Sequence, residues 1–478
     1  MVAQLHQTKM VCTLGPASDT PEMIGKLIDA GMDVARMNFS HGSHEDHARR
    51  IETVRTLSAE KGKVVAILQD LQGPKIRTGK MKHDGMTVTT GQQLTLRLGT
   101  VQEGNEIPID YAHLANDVEI GARILLDDGL IAMKVIEKDG ADIKVEVTFG
   151  GLLKSRKGVN FPDSKLSIPA TTEKDIRDLF FGVSQHVDFV ALSFVQSADD
   201  IIHLKKRMKS FGGEIPVVAK IEMKRAIENL DAICDVSDAI MVARGDLGVE
   251  CGFANVASYQ KIIIATAKRH GIPVIVATQM LDSMQENCTP TKAEVMDVAN
   301  AVLDGADATM LSGESASGKH PVLAVETMRD LTLRADAHLS NSPASAFRGD
   351  GKAIQEVAAH ATVELASRSR ASAIVCLSMS GATARLIASY RPSTPIIALS
   401  PRPEIARRLA LVRGVHPVIN SNLYSTDKAI LTIVPELKAK GLLHEGDLIV
   451  LTAGTPLAEM KPTNLVKLFH VTEDAPNR

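Results

Sequence analysis

The 478-residue chain has no tryptophan, and aromatics make up only 3% of it. That scarcity removes the stacking platforms on which single-stranded nucleic acids are held. A formal net charge of −3 removes the electrostatic case for a polyanionic partner or an acidic membrane surface. The five cysteines (Cys12, Cys234, Cys251, Cys288, Cys376) are odd in number, scattered and without CxxC spacing, so they make neither a disulfide framework nor a thiolate metal site. They read as small buried hydrophobes. No apolar run is long enough to cross a bilayer. The opening MVAQLHQTKM enters a strand-like segment without the apolar core and cleavage site of a secretion signal. The expectation is a cytoplasmic protein with metabolic chemistry, no nucleic-acid partner and no membrane.

What is present is a rhythm. Short apolar runs recur at MVCTLG (10–15), DVARMNFS (33–40), VVAILQD (64–70), VDFVALSF (187–194), VVAKIE (217–222), DAIMVARGD (238–246), PVIVATQM (273–280) and DATMLSGES (307–315). Amphipathic segments of helical length, such as PEMIGKLIDAG and YQKIIIATAKRHG, separate them. Strand and helix alternating around near-continuously apolar strands predict a closed (β/α)8 barrel of the TIM type over 1–70 and 171–340. Residues 71–170 interrupt it, where a βα loop takes about two to six residues. Their alternating strands and Gly turns predict an inserted small β-barrel domain, a lid over the strand ends. After the linker NSPASAFRGDGKA (341–353), residues up to 478 predict an open parallel α/β domain.

Polar residues gather at the C-terminal ends of the barrel strands. Arg36, Asn38 and Ser40 close the second, Asp70 the third, Ser193 the fourth, Lys220 and Glu222 the fifth. Arg244 and Asp246 close the sixth, Thr278 the seventh, Ser312 and Glu314 the eighth. In such a barrel these ends converge on one mouth. Glu222 and Asp246, at equivalent places on adjacent strands, can share a divalent cation that keeps part of its water shell, the habit of Mg2+ with phosphate substrates. Lys220 and Arg36 supply positive charge for a phosphoryl group and a developing oxyanion. Gly245 permits close backbone approach at a helix start. His41 orders the loop after strand two, His6, His44 and His47 read as surface residues, and LKKRMK (204–209) reads as a solvated helix face.

The segments MNFSHG, LQGPKIRTG, KGVNFP, AKIE, MVARGDLGVE, ATQML, PTKAEVMDVANAVLDGADATMLSGESA and SYRP, in this order and nearly end to end, resemble the pyruvate kinase family of bacterial type. The resemblance implies transfer of the phosphoryl group of phosphoenolpyruvate to ADP, giving pyruvate and ATP. It implies Mg2+ (or Mn2+) on Glu222 and Asp246, and substrate contacts at Arg36, Lys220, Gly245, Asp246 and Thr278. Catalysis is implied at Lys220, Arg36, Thr278, Ser312 and Glu314, nucleotide contacts at Asn38, His41, Arg77 and Lys157, and a lid carboxylate at Asp128. Many members bind potassium through an Asn, a Ser and an Asp with a glutamate just beyond. This chain keeps Asn38, Ser40 and Asp70 but has Lys75, whose ammonium implies potassium-independent activity. In the C-terminal domain SMSGATAR (378–385) resembles a regulatory turn, which implies a phosphorylated effector at Ser378, Ser380, Gly381 and Thr383. MKPTN (460–464) departs from the family's Gly/Ser-rich loop, and a homotetramer is implied. Two other functions could use the same carboxylate pair: a Mg2+-dependent keto-acid lyase or aldolase forming an enolate, and a non-catalytic metabolite sensor of this fold.

Overall fold

The computed structural model describes residues 6–82, 85–102, 104–339, 353–420, 426–455 and 462–472, with side chains left aside at 426–431. The linker 341–352 and Met460–Lys461 of the MKPTN loop lie outside the described residues. Eight parallel strands, Lys9–Leu14, Val34–Asn38, Ala66–Asp70, Phe189–Leu192, Val217–Ile221, Ala239–Ala243, Val274–Ala277 and Ala308–Leu311, pair in sequence order, and the eighth closes on the first. Their residues are almost all buried, as strands covered on both faces require. The inward set, including Val11, Val34, Leu68, Phe189, Met241 and Ile275, packs into a core of its own, and Ala410 and Leu411 of the C-terminal domain join it from below.

Several of the helices between the strands start on side-chain caps. Ser43/Asp46, Thr172/Asp175 and Thr291/Glu294 form reciprocal capping boxes that satisfy free N–H groups of a first turn. Helix His44–Glu60 buries one face through His47, Arg50, Ile51 and Val54. His47 is therefore not a surface residue: its ring stacks on Phe39 at 4.1 Å and its Nε2 hydrogen-bonds the carbonyl of His41 at 2.9 Å.

The inserted region has its own core, from Ile76 to Phe161. Its ladder is a curled six-stranded sheet with a separate two-stranded ribbon, Met86–Val88 with Gly151–Leu153. In the C-terminal domain five strands form an open sheet, four of them parallel. The last, Leu465–His470, runs antiparallel to Leu448–Ala453, against the all-parallel expectation. A parallel return needs a crossover of about a dozen residues or more, usually a helix. No helix among the described residues is long and apolar enough to cross a membrane.

The two ends of the barrel are built differently. At the floor, aspartates open every even-numbered strand, and each accepts the N–H at the start of a neighbouring odd-numbered strand. Met10 N donates to Asp33 (2.9 Å), Ile67 N to Asp188 (2.7 Å), Val217 N to Asp238 (2.9 Å) and Val274 N to Asp307 (3.0 Å). The C-terminal domain docks on this ring through Arg407 on Asp188 and Arg391 on Asp307, each at 2.7 Å.

Candidate active site

At the mouth, the strand Val217–Ile221 carries the ammonium of Lys220. Lys220 Nζ donates to Ser193 Oγ at 2.7 Å and lies 3.0 Å from Glu222 Oε1 and 3.3 Å from Asp70 Oδ1. Burial alone would discharge it, but Asp70 and Glu222 outweigh that cost and hold its pKa above the ordinary lysine value. Asp70 Oδ2 accepts from Arg36 Nε at 2.7 Å, and Arg36 Nη1 donates to Thr13 Oγ1 at 2.9 Å. Burial works against ionised Asp70 as well, yet Lys220 and Arg36 keep its pKa below the usual carboxylate value. Five of the eight strand ends thus meet in one network.

Glu222 is 1% exposed, and its Oε2 accepts the N–H of Phe194 at 2.7 Å. Burial raises its pKa, the Lys220 ammonium opposes that, and the charge of Asp246 adds to it. Asp246 sits in the first turn of helix Arg244–Cys251. Two carboxylates that repel each other inside a cation-lined mouth offer hard oxygen donors with unsatisfied negative charge, which suits a divalent cation. Among the described residues no group of three or more His, Cys, Asp or Glu side chains gathers around a metal position. A cation shared by Glu222 and Asp246 would have only two protein carboxylates and would take its other ligands from water or substrate, unlike a structural zinc.

Thr278 has φ +69 and Gln279 +52, a left-handed pair costly for a β-branched residue. The conformation is held from outside. Arg244, buried and paired with Asp297 at 2.7 Å, donates to the carbonyls of Ala277 (3.2 Å) and Thr278 (2.7 Å). Thr278 Oγ1 accepts the N–H of Gly245 at 2.8 Å, which brings the ends of strands six and seven together. Arg244 therefore braces the mouth from behind. Glu314 ties the next pair of loops, accepting from Leu281 N (3.1 Å) and Ser312 N (2.8 Å), and burial raises its pKa.

Asn38 and Asp70 are register partners on neighbouring strands, and Asn38 Oδ1 accepts the N–H of Ser40 at 3.1 Å. Lys75 stands 3.7 Å from Asp246 Oδ1, so its ion partner is Asp246 and not Asp70. A Cβ at Gly158 of the lid would lie 3.2 Å from Lys75 Cε and 3.9 Å from Asp128 Oδ1, so these three lid and hinge positions converge. Lys157 pairs with Asp127 at 2.8 Å, Arg77 bridges to Gly158 across the lid's base, and His41 contributes its carbonyl to His47. In the C-terminal domain Gly381 (φ +78) caps helix Ala382–Ser389. The Ser378 hydroxyl is buried without a hydrogen-bond partner, and Thr383 bonds Thr463 at 2.7 Å. Cys288 differs from the other cysteines: it is exposed, with Sγ 3.4 Å from His320 Nε2.

Sequence reasoning missed three positions. Thr13 ends strand one as Thr278 ends strand seven, a signal present in MVCTLG but not used. Asn160 and Glu250 meet at 2.8 Å across 90 residues, which no local pattern announces. Glu250 is 5% exposed, and burial pushes its carboxyl up to about 7.

Comparison with known proteins meets this geometry from the other side. Residues 5–325 match the pyruvate kinase barrel domain, and residues 356–469 the pyruvate kinase alpha/beta domain. The pyruvate kinase of Geobacillus stearothermophilus is 43% identical over 479 residues, covering 98% of this chain and 81% of the relative. That of Staphylococcus aureus (strain MRSA252) is 43% identical over 482 residues, covering 99% and 82%. With both domains matched and 43% identity over nearly its full length, the chain belongs to the pyruvate kinase family and is an enzyme of that kind.

Proposed function

We propose that the enzyme transfers the phosphoryl group of phosphoenolpyruvate to ADP, uses Mg2+ as its divalent ion, and needs no potassium. The observation that carries this reading is the Lys220 ammonium, fixed between Asp70 and Glu222 beside Arg36. Two edges of the Arg36 guanidinium are engaged by Asp70 and Thr13, so its plane is set before substrate arrives. Arg36 and Lys220 hold the phosphoryl group. As the bond from phosphorus to the enol oxygen breaks, Lys220 stabilises the enolate, and it stays charged because its carboxylate neighbours hold its pKa up. Glu222 and Asp246 hold the Mg2+, which when bound neutralises charge on the transferring group. Gly245, Asp246 and Thr278 receive the substrate carboxylate. The enolate carbon is protonated from the side of Thr278, with Ser312 and Glu314 behind it. Asn38, His41, Arg77 and Lys157 meet the nucleotide.

Potassium is dispensable in this reading because Asp70, the charged member of the Asn38–Ser40–Asp70 group, already has Arg36 and Lys220 as counter-ions, while Lys75 adds a fixed positive charge to the mouth. A phosphorylated effector binds at Ser378, Ser380, Gly381 and Thr383, a reading supported by the unpartnered Ser378 hydroxyl. A homotetramer is supported by exposed apolar side chains on the barrel's outer helices: Ile262, Met296 and Leu303.

The test is incubation with phosphoenolpyruvate, Mg2+ and ADP in potassium-free buffer. ATP and pyruvate in equal amounts, unchanged by KCl, are expected. No ATP from phosphoenolpyruvate but cleavage of a keto acid would point to a lyase, no turnover of either to a sensor, and a steep rise on adding KCl would overturn potassium independence. Light scattering checks the tetramer, and a panel of sugar phosphates and AMP checks the effector.

A further inference from the structure

The lid is joined to the barrel by its two connecting segments, which enter and leave beside Asp175 and Thr171. Asp175 itself accepts the Gly73 N–H at 3.1 Å. Beyond those segments a second attachment occurs. Asn160 closes the lid strand Val159–Asn160 and donates through Nδ2 to Glu250 Oε1 at 2.8 Å, at the far end of helix Arg244–Cys251. Next to it, Gly129 of the lid faces Val249, where an added Cβ would make ordinary van der Waals contact with Val249 Cγ1 at 3.9 Å. The surrounding ions leave Glu250 little choice of partner. Arg123 of the lid is engaged by Asp163 at 2.8 Å, and Asp246 and Glu222 on the barrel side repel a further carboxylate.

We propose that the Asn160–Glu250 hydrogen bond is a latch that holds the lid over the mouth, and that Glu250 is a positioning residue for the nucleotide half of the reaction. Asn160 stands three residues from Lys157, and its strand pairs with Leu125–Leu126, just before Asp127 and Asp128. On the helix side Glu250 lies one turn beyond Asp246, in the segment that also presents Gly245 to Thr278. The latch therefore sets the distance between the lid groups and the barrel groups without touching either substrate. Its contribution falls on ADP, whose contacts are shared between lid and barrel, and not on phosphoenolpyruvate, whose contacts lie on the strand ends. This inference rests on the site reading given above for Lys157 and Arg77.

The experiment compares Asn160→Ala, Glu250→Ala and Glu250→Gln with the unaltered enzyme. Hydrogen exchange of lid residues 76–161 is followed without substrate, and KM is measured separately for ADP and phosphoenolpyruvate. Loss of one buried hydrogen bond to a charged acceptor corresponds to about a tenfold change. Both alanine variants are expected to raise KM for ADP by about that factor and to speed lid exchange, with KM for phosphoenolpyruvate unchanged. Glu250→Gln keeps a carbonyl acceptor for Asn160 and is expected to restore both readouts. Unchanged lid exchange in both alanine variants overturns the latch. Faster exchange with equal rises in both KM values leaves the latch standing and overturns instead the assignment of Lys157 and Arg77 to the nucleotide.

Discussion

The floor and the mouth of the barrel use the same residue types to opposite ends. At the floor Asp33, Asp188, Asp238 and Asp307 each take a backbone N–H, and each has a basic side chain beside it: Lys9 and His6, Arg55 and Arg407, Lys205, and Arg391. At the mouth Glu222, Glu250 and Glu314 are buried with fewer counter-charges than carboxylates, and burial raises all three pKa values. Asp33 moves the other way: despite its burial, Lys9 and His6 bring it down to about 2. Carboxylates that stabilise the fold have been matched with partners. The three mouth glutamates have been left short of them, an imbalance of negative charge that a divalent cation could relieve.

The largest expected break in this comparison is Lys220→Met. It removes the ammonium proposed to meet the phosphoryl group and enolate, so kcat is expected to fall by about a thousandfold or more. The melting temperature stays close to that of the unaltered enzyme, because Asp70 retains Arg36 and Glu222 can take up a proton. A drop of many degrees in the melting scan would make Lys220 a structural residue.

Opposite pH signatures come next. Glu250, raised from 4.5 to about 7, binds a proton in the folded state that the unfolded chain has released. Its stabilising contribution is full below about pH 4.5 and is lost as pH rises through 7, on the order of 3 kcal/mol in all. For Asp33, lowered from 3.8 to about 2, the contribution is full above about pH 4 and is lost as pH falls through 2, on the order of 2 kcal/mol. Urea denaturation across this range should show Glu250→Gln flattening the neutral limb and Asp33→Asn the acid limb. Exchanged limbs would reverse the assignment.

A smaller effect tests the floor directly. Asp307→Asn weakens the acceptor for Val274 N and leaves Arg391 without its counter-ion, which costs about 1 to 3 kcal/mol of stability with kcat per folded molecule unchanged. A lowered kcat at equal folded fraction would mean that the floor reaches the chemistry. Smallest of all is the exposed Lys26–Glu22 pair, where Glu22→Gln should leave the urea midpoint essentially unchanged.

The mouth was legible in the sequence because each strand there is an apolar run stopped by a polar residue, and barrel closure brings those stops together. The lid was legible as a region too long and too strand-rich for a loop. The floor was less so, although the same Asp opens DVARMN, DFVALS, DAIMVA and DATMLS; the eye goes to where a buried run ends in charge, not to where it begins. His47 was misread because one buried face of an otherwise polar helix leaves a weak apolar signature. The direction of Leu465–His470 depends on the connection before it, and the Asn160–Glu250 contact on the docking of two domains, neither of which is written in a local pattern. Lys75 was recognisable as an intruding charge, but that its partner is Asp246 follows only from the geometry of the hinge.

The central claim is that Glu222 and Asp246 hold one divalent ion together. Mn2+ binding followed by electron paramagnetic resonance tests it most directly, on the unaltered enzyme and on Glu222→Gln and Asp246→Asn. One Mn2+ per chain, with either substitution weakening binding by about tenfold or more, is the predicted result. Unchanged binding in both variants would place the metal elsewhere and contradict the account.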